Sequence, residues 1–347
     1  VPPAPDQITV AVDANGADQG PGEVAKAAAE AAASGVRVRV FGPRDELGDA
    51  PEGVEFIDAP VSVAKMPNPT RAVRSTPEAS IVQAATDVAE GRSHALVCGG
   101  STGAALAAGL LHIRRSPGIH RPALALPLPL PAGTVLLLDC GANTEARPEH
   151  LVQFAYMGSA FSRAVLGVEN PKVALLSNGE EPERGTDLVV NAHRELADRT
   201  GLNFIGNVEG TTLTEAVADV VVADGFSGNL ALKLLEGGVS MMLGALRDAA
   251  VSSPRAKVGA LLMRPAVYGI RDQLDPERTA GAYLLGLRRP LVVFHGRFSQ
   301  RGIAEAIRVA QRAVVEHVIE RTSQALEAAG AMRDGGDAAA ATSNVSP

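Results

Sequence analysis

The chain has 347 residues and a mass of 35.7 kDa, enough for one large α/β domain or two ordinary ones. Hydrophobic residues make up 46% and charged residues 20%, which supplies a large core and excludes global disorder. A formal net charge of −7, no Trp and 3% aromatic residues argue against a nucleic-acid coat or a base-stacking platform.

The elements follow a repeating pattern. A short β-branched run ends in a Gly/Asp/Asn cluster, and an Ala/Leu-rich helical pattern comes next. ITVAVDANGADQGP (8–21) leads into a helix over 22–35, and VRVRVFGP (36–43) and VEFIDAP (54–60) follow as strands. ALVCGGSTG (95–103) precedes the helical AALAAGLLHI (104–113). PALALPLPLPAGTVLLL (122–138) is interrupted by four prolines, and only its end, TVLLLDCGAN (134–143), reads as a strand with its turn. KVALLSNGEE (172–181) precedes a helix near 185–200, NFIGNVEG (203–210) continues the alternation, and DVVVADGFSGN (219–229) leads into a long helix from 230. Residues 239–285 break the pattern and are expected to form a projecting helical hairpin joined near Ser252–Pro254. PLVVFHG (290–296) returns as a strand, a closing helix spans 303–328, and the Gly/Ala/Ser-rich segment 329–347 is expected to be a disordered tail. No apolar run reaches about 18 residues, so no membrane span is expected, and VPPAPDQ lacks the basic and apolar regions of a secretory signal.

Unbroken Val/Leu/Ile runs fit parallel strands buried on both faces, and strands alternating with helices imply a doubly wound, mostly parallel α/β sheet over residues 7–328. In that architecture ligands bind at the carboxyl ends of strands. Those ends carry Asp13, Asn15, Asp18, Ser101, Thr102, Asp139, Asn143, Asn178, Glu180, Asn207, Glu209, Asp224 and Asn229, expected to gather on one rim of the sheet. Turns and helix caps use the same residue types, so the weight falls on the set rather than on any member. The Gly-rich turns GADQGPG, CGGSTGA and DGFSGN bring backbone N–H groups and helix N-termini to where an anion would sit, which points to phosphate.

Other chemistries lack their signatures. There is no strict GxGxxG, no GxxxxGK[ST] and no GxSxG. Cys98 and Cys140 read as small buried residues of a reducing compartment rather than nucleophiles or zinc ligands. His295 is the one histidine read at a strand end, while His94, His112, His193 and His317 read as ordinary helix or surface positions. No carboxylate cluster has metal-ligand spacing, and a Mg²⁺ site built from Asp13, Asp139 and Asp224 stays open as an alternative.

Taken in order, VDANGADQGP, AVRSTPEAS, CGGSTGA, HRPALALPLP, LLDCGAN, NGEEPERG, FIGNVEG, VVVADGFSGN and AGAYLLGL followed by HG resemble the phosphate acyltransferase family, the acyl-carrier-protein:phosphate transacylases, over about residues 7–320. The resemblance implies the isocitrate/isopropylmalate dehydrogenase-like α/β fold, a homodimer and no organic cofactor. It implies transfer of a long-chain acyl group from acyl carrier protein to inorganic phosphate. The acyl phosphate product would feed phospholipid synthesis, through a glycerol-3-phosphate acyltransferase at the inner face of the cytoplasmic membrane. The site residues it suggests are Asn229, Arg184 and Thr102 as catalytic groups. Asp13, Gly16, Asp18, Ser101, Gly103, Asp139, Asn143, Glu180, Asn207, Glu209, Asp224 and His295 are suggested as substrate-binding. Direct attack by phosphate on the thioester needs no covalent intermediate, in keeping with the missing nucleophile motif.

The chain departs from the family pattern in places. Asp13-Ala14-Asn15-Gly16-Ala17-Asp18 replaces the usual first turn, Arg74–Ser80 lacks a basic pair, Arg184 stands for a lysine, and Arg297-Phe298 replaces a serine pair after His295-Gly296. Two alternatives therefore stand beside the leading reading: a coenzyme A-dependent phosphotransacylase, and a catalytically weakened paralogue that serves as a carrier-protein or membrane-binding scaffold. The hairpin supplies Arg255, Lys257, Arg264 and Arg271, expected to receive the acidic carrier. It also supplies Leu261, Leu262, Met263, Val267, Tyr268 and Ile270, expected in a dimer contact or at a peripheral membrane contact.

Overall fold

A computed structural model describes residues 7–333, with the side chains of residues 270–272 and 276 outside the description. The strands are β1 (Thr9–Asp13), β2 (Arg37–Gly42), β3 (Val54–Asp58), β4 (Ala95–Gly99), β5 (Ala123–Leu130), β6 (Gly133–Leu138), β7 (Lys172–Leu176), β8 (Asn203–Val208), β9 (Val220–Val222), β10 (Ala282–Leu285) and β11 (Leu291–Phe294). Among the described residues they form one 11-stranded sheet in the order β3-β2-β1-β4-β11-β10-β5-β6-β9-β7-β8. Neighbours run parallel except at β11–β10, β10–β5 and β5–β6. The doubly wound, mostly parallel expectation holds.

Two hairpins set the strand directions. ALALPLPL, despite its prolines, is β5, and it turns directly back into β6. Pairing with β10 stops at Ala125, so Pro127 and Pro129 lie where β5 has a partner on the β6 side only, and their missing N–H groups cost little. That turn reverses the chain: β1–β5 run one way and β6–β10 the other, until the step from β10 to β11 restores the first direction. The carboxyl ends of β1, β4 and β11 therefore lie on one rim of the sheet, and those of β6, β7, β8 and β9 on the other. The expectation of a single rim is corrected here, because the reversal at Leu130–Gly133 was not visible while β5 went unread.

Alternation along each strand divides the core between the two faces. Val10, Val12, Leu136 and Leu138 join one buried cluster, while Ala11, Val135 and Leu137 join the other. On the first face Ala27, Ala28 and Ala31 of the helix Pro21–Ala32 share the cluster with Ile303, Ile307 and Ala310 of the helix Gln300–Val315; small side chains let these helices approach closely. The helix Pro148–Phe161 lies almost wholly inside this layer. On the second face the helices Ser80–Ala89 and Thr102–Ala108 share the other cluster with Leu232 and Leu235.

The helical pair does project, but its limits differ from those expected. One helix runs from Gly225 to Val251, and the other, Pro254–Gln273, returns along it after Ser252-Ser253. AYLL, expected inside the hairpin, is β10, buried in the sheet. The segment 329–347 also departs from expectation at its start. Ala331 is buried with its carbonyl accepting from Gln153 Nε2 at 2.8 Å, and Arg333 N–H donates to the Gly118 carbonyl at 2.8 Å. The rest of that segment, 334–347, lies outside the described residues. No helix among the described residues is long and apolar enough to cross a membrane.

Candidate active site

The first rim is built around Asp13, at the end of β1. Its buried carboxylate accepts from Ser80 Oγ at 2.6 Å and from the Asn15 N–H at 3.1 Å, and Asn15 Nδ2 donates back to Ser80 Oγ at 2.9 Å. Burial pushes the Asp13 carboxyl up to about 6, against the downward pull of those hydrogen bonds. The turn holding Gly16 presses backbone to backbone against the end of β4: a methyl group on Gly16 would lie 2.1 Å from the Gly99 carbonyl oxygen. Ser101 caps the following helix, its side chain accepting from the Ala104 N–H at 3.2 Å, and this leaves Thr102 and Gly103 exposed at the helix start. Asp18 N–H donates to the Gly296 carbonyl at 2.7 Å, which ties the β1 turn to the β11 turn. There an exposed His295 accepts the Arg297 N–H on Nδ1 at 3.2 Å.

The second rim is built around Asp139, at the end of β6. Its fully buried carboxylate accepts from the N–H groups of Leu124, Gly141, Ala142 and Asn143 and from Asn143 Nδ2, at 2.7–3.2 Å. Burial raises its carboxyl while the donors hold it back. Asn143 Nδ2 also donates to the Pro122 carbonyl at 2.7 Å, and the Asn143 carbonyl accepts from Gly225 N–H at 2.7 Å. This fixes the start of the long helix, where Asp224 caps the N–H groups of Phe226 and Ser227 at 3.0 Å each. Gly228 has no room for a side chain, since a methyl there would fall 2.0 Å from the Asp139 carbonyl oxygen. One residue on, the exposed Asn229 lies beside Gly141.

The same rim carries the ends of β7 and β8. Asn207 accepts from His193 Nδ1 at 3.0 Å and donates to the Glu181 carbonyl at 2.9 Å, so a buried His–Asn pair holds the Asn178–Arg184 loop. In that loop Glu180 is exposed, and Arg184 is exposed and paired with Glu181 at 3.4 Å. Glu209 accepts from Thr211 Oγ1 at 3.4 Å at the start of the short helix Gly210–Leu213. A groove of about 620 Å³ runs between these ends and the long helix. Its wall is mostly apolar, from Leu176, Leu213, Leu230, Leu234 and Leu235, with Ser177 and Glu209 at the polar end. Ser177 Oγ is buried without a hydrogen-bond partner among the described residues.

The predicted residues thus fall into two groups. Asp13, Gly16, Asp18, Ser101, Thr102, Gly103 and His295 belong to the first rim. Asp139, Asn143, Glu180, Arg184, Asn207, Glu209, Asp224 and Asn229 belong to the second. Sequence reasoning missed Ser80, although the quoted AVRSTPEAS contains it. It also missed Ser177 and the pairing of His193, which was taken for an ordinary helix position. Cys98 and Cys140 are buried thiols whose burial raises them far above ordinary thiol values, in keeping with packing rather than nucleophilic roles. Among the described residues no group of three or more His, Cys, Asp and Glu is placed to hold a metal ion.

Fold and rims together define a doubly wound α/β protein with anion-competent turns beside an apolar groove. The chain belongs to the fatty acid synthesis protein family, whose model matches residues 8–321, and with it to the phosphate acyltransferases. It is 43% identical over 321 residues to the phosphate acyltransferase of Heliobacterium modesticaldum, covering 90% of this chain and 96% of that one. It is 40% identical over 328 residues to the phosphate acyltransferase of Geobacillus thermodenitrificans, covering 92% and 99%. Among solved structures it shares the fold of the EutD phosphotransacetylase from Staphylococcus aureus (TM-score 0.58, 18% identity, 89% of this chain and 95% of that one). The same holds for a branched-chain phosphotransacylase from Enterococcus faecalis (TM-score 0.55, 18% identity, 88% and 99%).

Proposed function

We propose that this acyltransferase moves a long-chain acyl group from acyl carrier protein to inorganic phosphate, giving acyl phosphate for phospholipid synthesis. The observation that carries this reading is the 43% identity to a phosphate acyltransferase across 96% of that enzyme. The chemistry available at the second rim agrees with it. Phosphate takes the place offered by the start of the long helix, Asn229 orients it or the thioester carbonyl, and Arg184 offsets its charge. A phosphate oxygen attacks the carbonyl carbon, the C–S bond breaks, and the thiolate leaves and takes up a proton. The apolar groove receives the acyl chain. Holding both reactants together contributes several kcal/mol, roughly, of the barrier reduction.

The first rim, with Thr102, Asp13 and His295, completes the site in this reading. Twist supports the pairing of the two rims. At about 20–25° per step, five steps from β1 to β6 turn the opposed strands until their carboxyl ends diverge by less than a right angle. The helices after β4 and β9 also bury their apolar sides in one cluster, on one face of the sheet. The protein acts as a cytoplasmic homodimer, touches the inner face of the membrane peripherally, and hands its product to a glycerol-3-phosphate acyltransferase.

The test is an assay with palmitoyl-carrier-protein and phosphate, run beside palmitoyl- and acetyl-coenzyme A. Palmitoyl phosphate formed from the carrier thioester is the expected product. Turnover of the coenzyme A thioesters alone would assign the coenzyme A-dependent reaction, and no product from any donor would assign a scaffold.

A further inference from the structure

A second cavity, of about 680 Å³, lies beside the Asp139 loop and shares Ala142 and Asn143 with it. Its lining includes Arg115, Arg121, Arg147 and Arg333. Against them stand Glu145 and Glu149, so the three guanidiniums of Arg115, Arg121 and Arg147 alone outnumber the carboxylates by one, on a chain of net charge −7. Among the described residues neither Arg115 nor Arg121 forms a salt bridge. Arg115 donates instead to the carbonyls of Ile119 and His120, and Arg147 meets Glu149 only at 3.8 Å.

The cations act on one another. Burial first, then Arg333 and Arg121, push the Arg115 guanidinium down from its usual value. Two histidines share the cavity, with ring centroids 5.6 Å apart. Burial, opposed by Glu149 and helped by the guanidiniums of Arg121 and Arg147, pushes the buried His150 down to about 4. His150 Nδ1 accepts the Arg147 N–H at 3.1 Å, so the neutral ring carries its proton on Nε2, as a donor. Repelling cations and a neutral imidazole donor around one space are what a tetrahedral dianion would relieve, and guanidinium forks match phosphate oxygens two at a time.

The size and the other walls narrow the ligand. The volume falls within the range of about 300–1,000 Å³ that takes small organic ligands, far more than a lone phosphate ion fills. Leu106, Leu110 and Pro122 give it an apolar side. The geometry points to a binding site for an organic phosphate ester, its phosphoryl group among Arg115, Arg121, Arg147 and the histidines and its body on the Leu106–Leu110 wall. The assignment does not depend on the acyl-transfer reading, which leaves Arg115, Arg121, Arg147 and the two histidines unused.

Isothermal titration of the full chain with phenyl phosphate, orthophosphate and phenol tests it. Phenyl phosphate is expected to bind saturably and at least tenfold more tightly than orthophosphate, with phenol silent. Arg121→Ala combined with Arg147→Ala, two exposed side chains, should weaken phenyl phosphate at least tenfold, and so should Leu110→Glu on the opposite wall. Thermal melting of each variant confirms that it is folded, and either variant alone suffices. Undiminished binding in a folded variant overturns the assignment. Equal affinity for orthophosphate reduces it to an inorganic-ion site, and phenol binding as tightly as phenyl phosphate shows that the arginines hold nothing; both outcomes also reject the proposal.

Discussion

Asp139 and Asn143 are joined twice: one carboxylate oxygen accepts both the backbone N–H and the side-chain Nδ2 of Asn143, each at 2.7 Å. The other oxygen gathers three further backbone N–H groups. A buried carboxylate with no cation at hand survives only because donors surround it. Asn143→Ala removes this side-chain bond together with the one to the Pro122 carbonyl, and is expected to cost at least about 1.5–3 kcal/mol, the range for a bond to a charged group. Asp139→Asn turns an acceptor into a donor facing N–H groups and should cost more than that. Urea unfolding of both variants is the measurement, and a loss below about 0.5 kcal/mol for Asn143→Ala would contradict the role given to this pair.

Asp13 gives a pH dependence of definite sign. The folded state holds its proton up to about pH 6, whereas the ordinary carboxyl value is 3.8. Between those values the folded chain binds more protons than the unfolded one, so this contribution is full below 3.8 and is lost as the pH rises through 6. A difference of about two units corresponds to on the order of 3 kcal/mol. Asp13→Asn keeps an acceptor for Ser80 and Asn15 but cannot ionise. Its stability relative to wild type should therefore climb between pH 4 and pH 7, as followed by denaturant titration. A difference that stays flat over that range would show that Asp13 is not a protonated buried acid.

The sequence carried the strand ends well. ITVAVD, LLLDCGAN and VVVADGFSGN each place an acid directly after an apolar run, and each ends a strand in the structure. What it concealed was direction. A strand's apolar pattern is the same whether it runs up or down the sheet, so direction comes only from the connections. One unread strand, β5 with Pro127 and Pro129 inside it, hid the turn that sends β6–β10 the opposite way. AYLL was lost for a related reason, since four residues beside a long helical pattern are too few to show a period. Ser80 and His193 were missed because their roles depend on partners 67 and 14 residues away, Asp13 and Asn207, which no local pattern reveals.

Asn229 and Arg184 are the residues most exposed to a kinetic test. Both have exposed side chains on the second rim, so their loss should spare the fold. Asn229→Ala and Arg184→Ala are each expected to lower turnover by about tenfold to a thousandfold, the scale of losing one donor to the developing charge. Arg184→Lys keeps the charge and loses the fork, so it should recover part of that loss. Steady-state rates with the carrier thioester and phosphate decide the matter, and wild-type turnover in both alanine variants would move the chemistry elsewhere.

The returning helix of the hairpin bears Leu261, Leu262 and Met263 along its middle, at 66%, 78% and 59% exposure, more apolar surface than an isolated chain usually leaves in water. Arg255, Lys257 and Arg264 lie close by in the same helix, and Arg264 rests over the Tyr268 ring at 5.2 Å. Cations beside apolar side chains suit an anionic bilayer surface, and the apolar part alone suits a dimer contact. Two measurements separate these outcomes. Sedimentation of the purified protein reports the dimer, and flotation with anionic liposomes reports the membrane. Leu261→Glu with Leu262→Glu should abolish flotation if this stretch inserts, and should shift sedimentation toward monomer if it makes the dimer contact. A double variant that stays dimeric and floats like wild type would show that this stretch does neither, and would turn attention to the long helix from Gly225, with Leu234 and Met241 exposed along it.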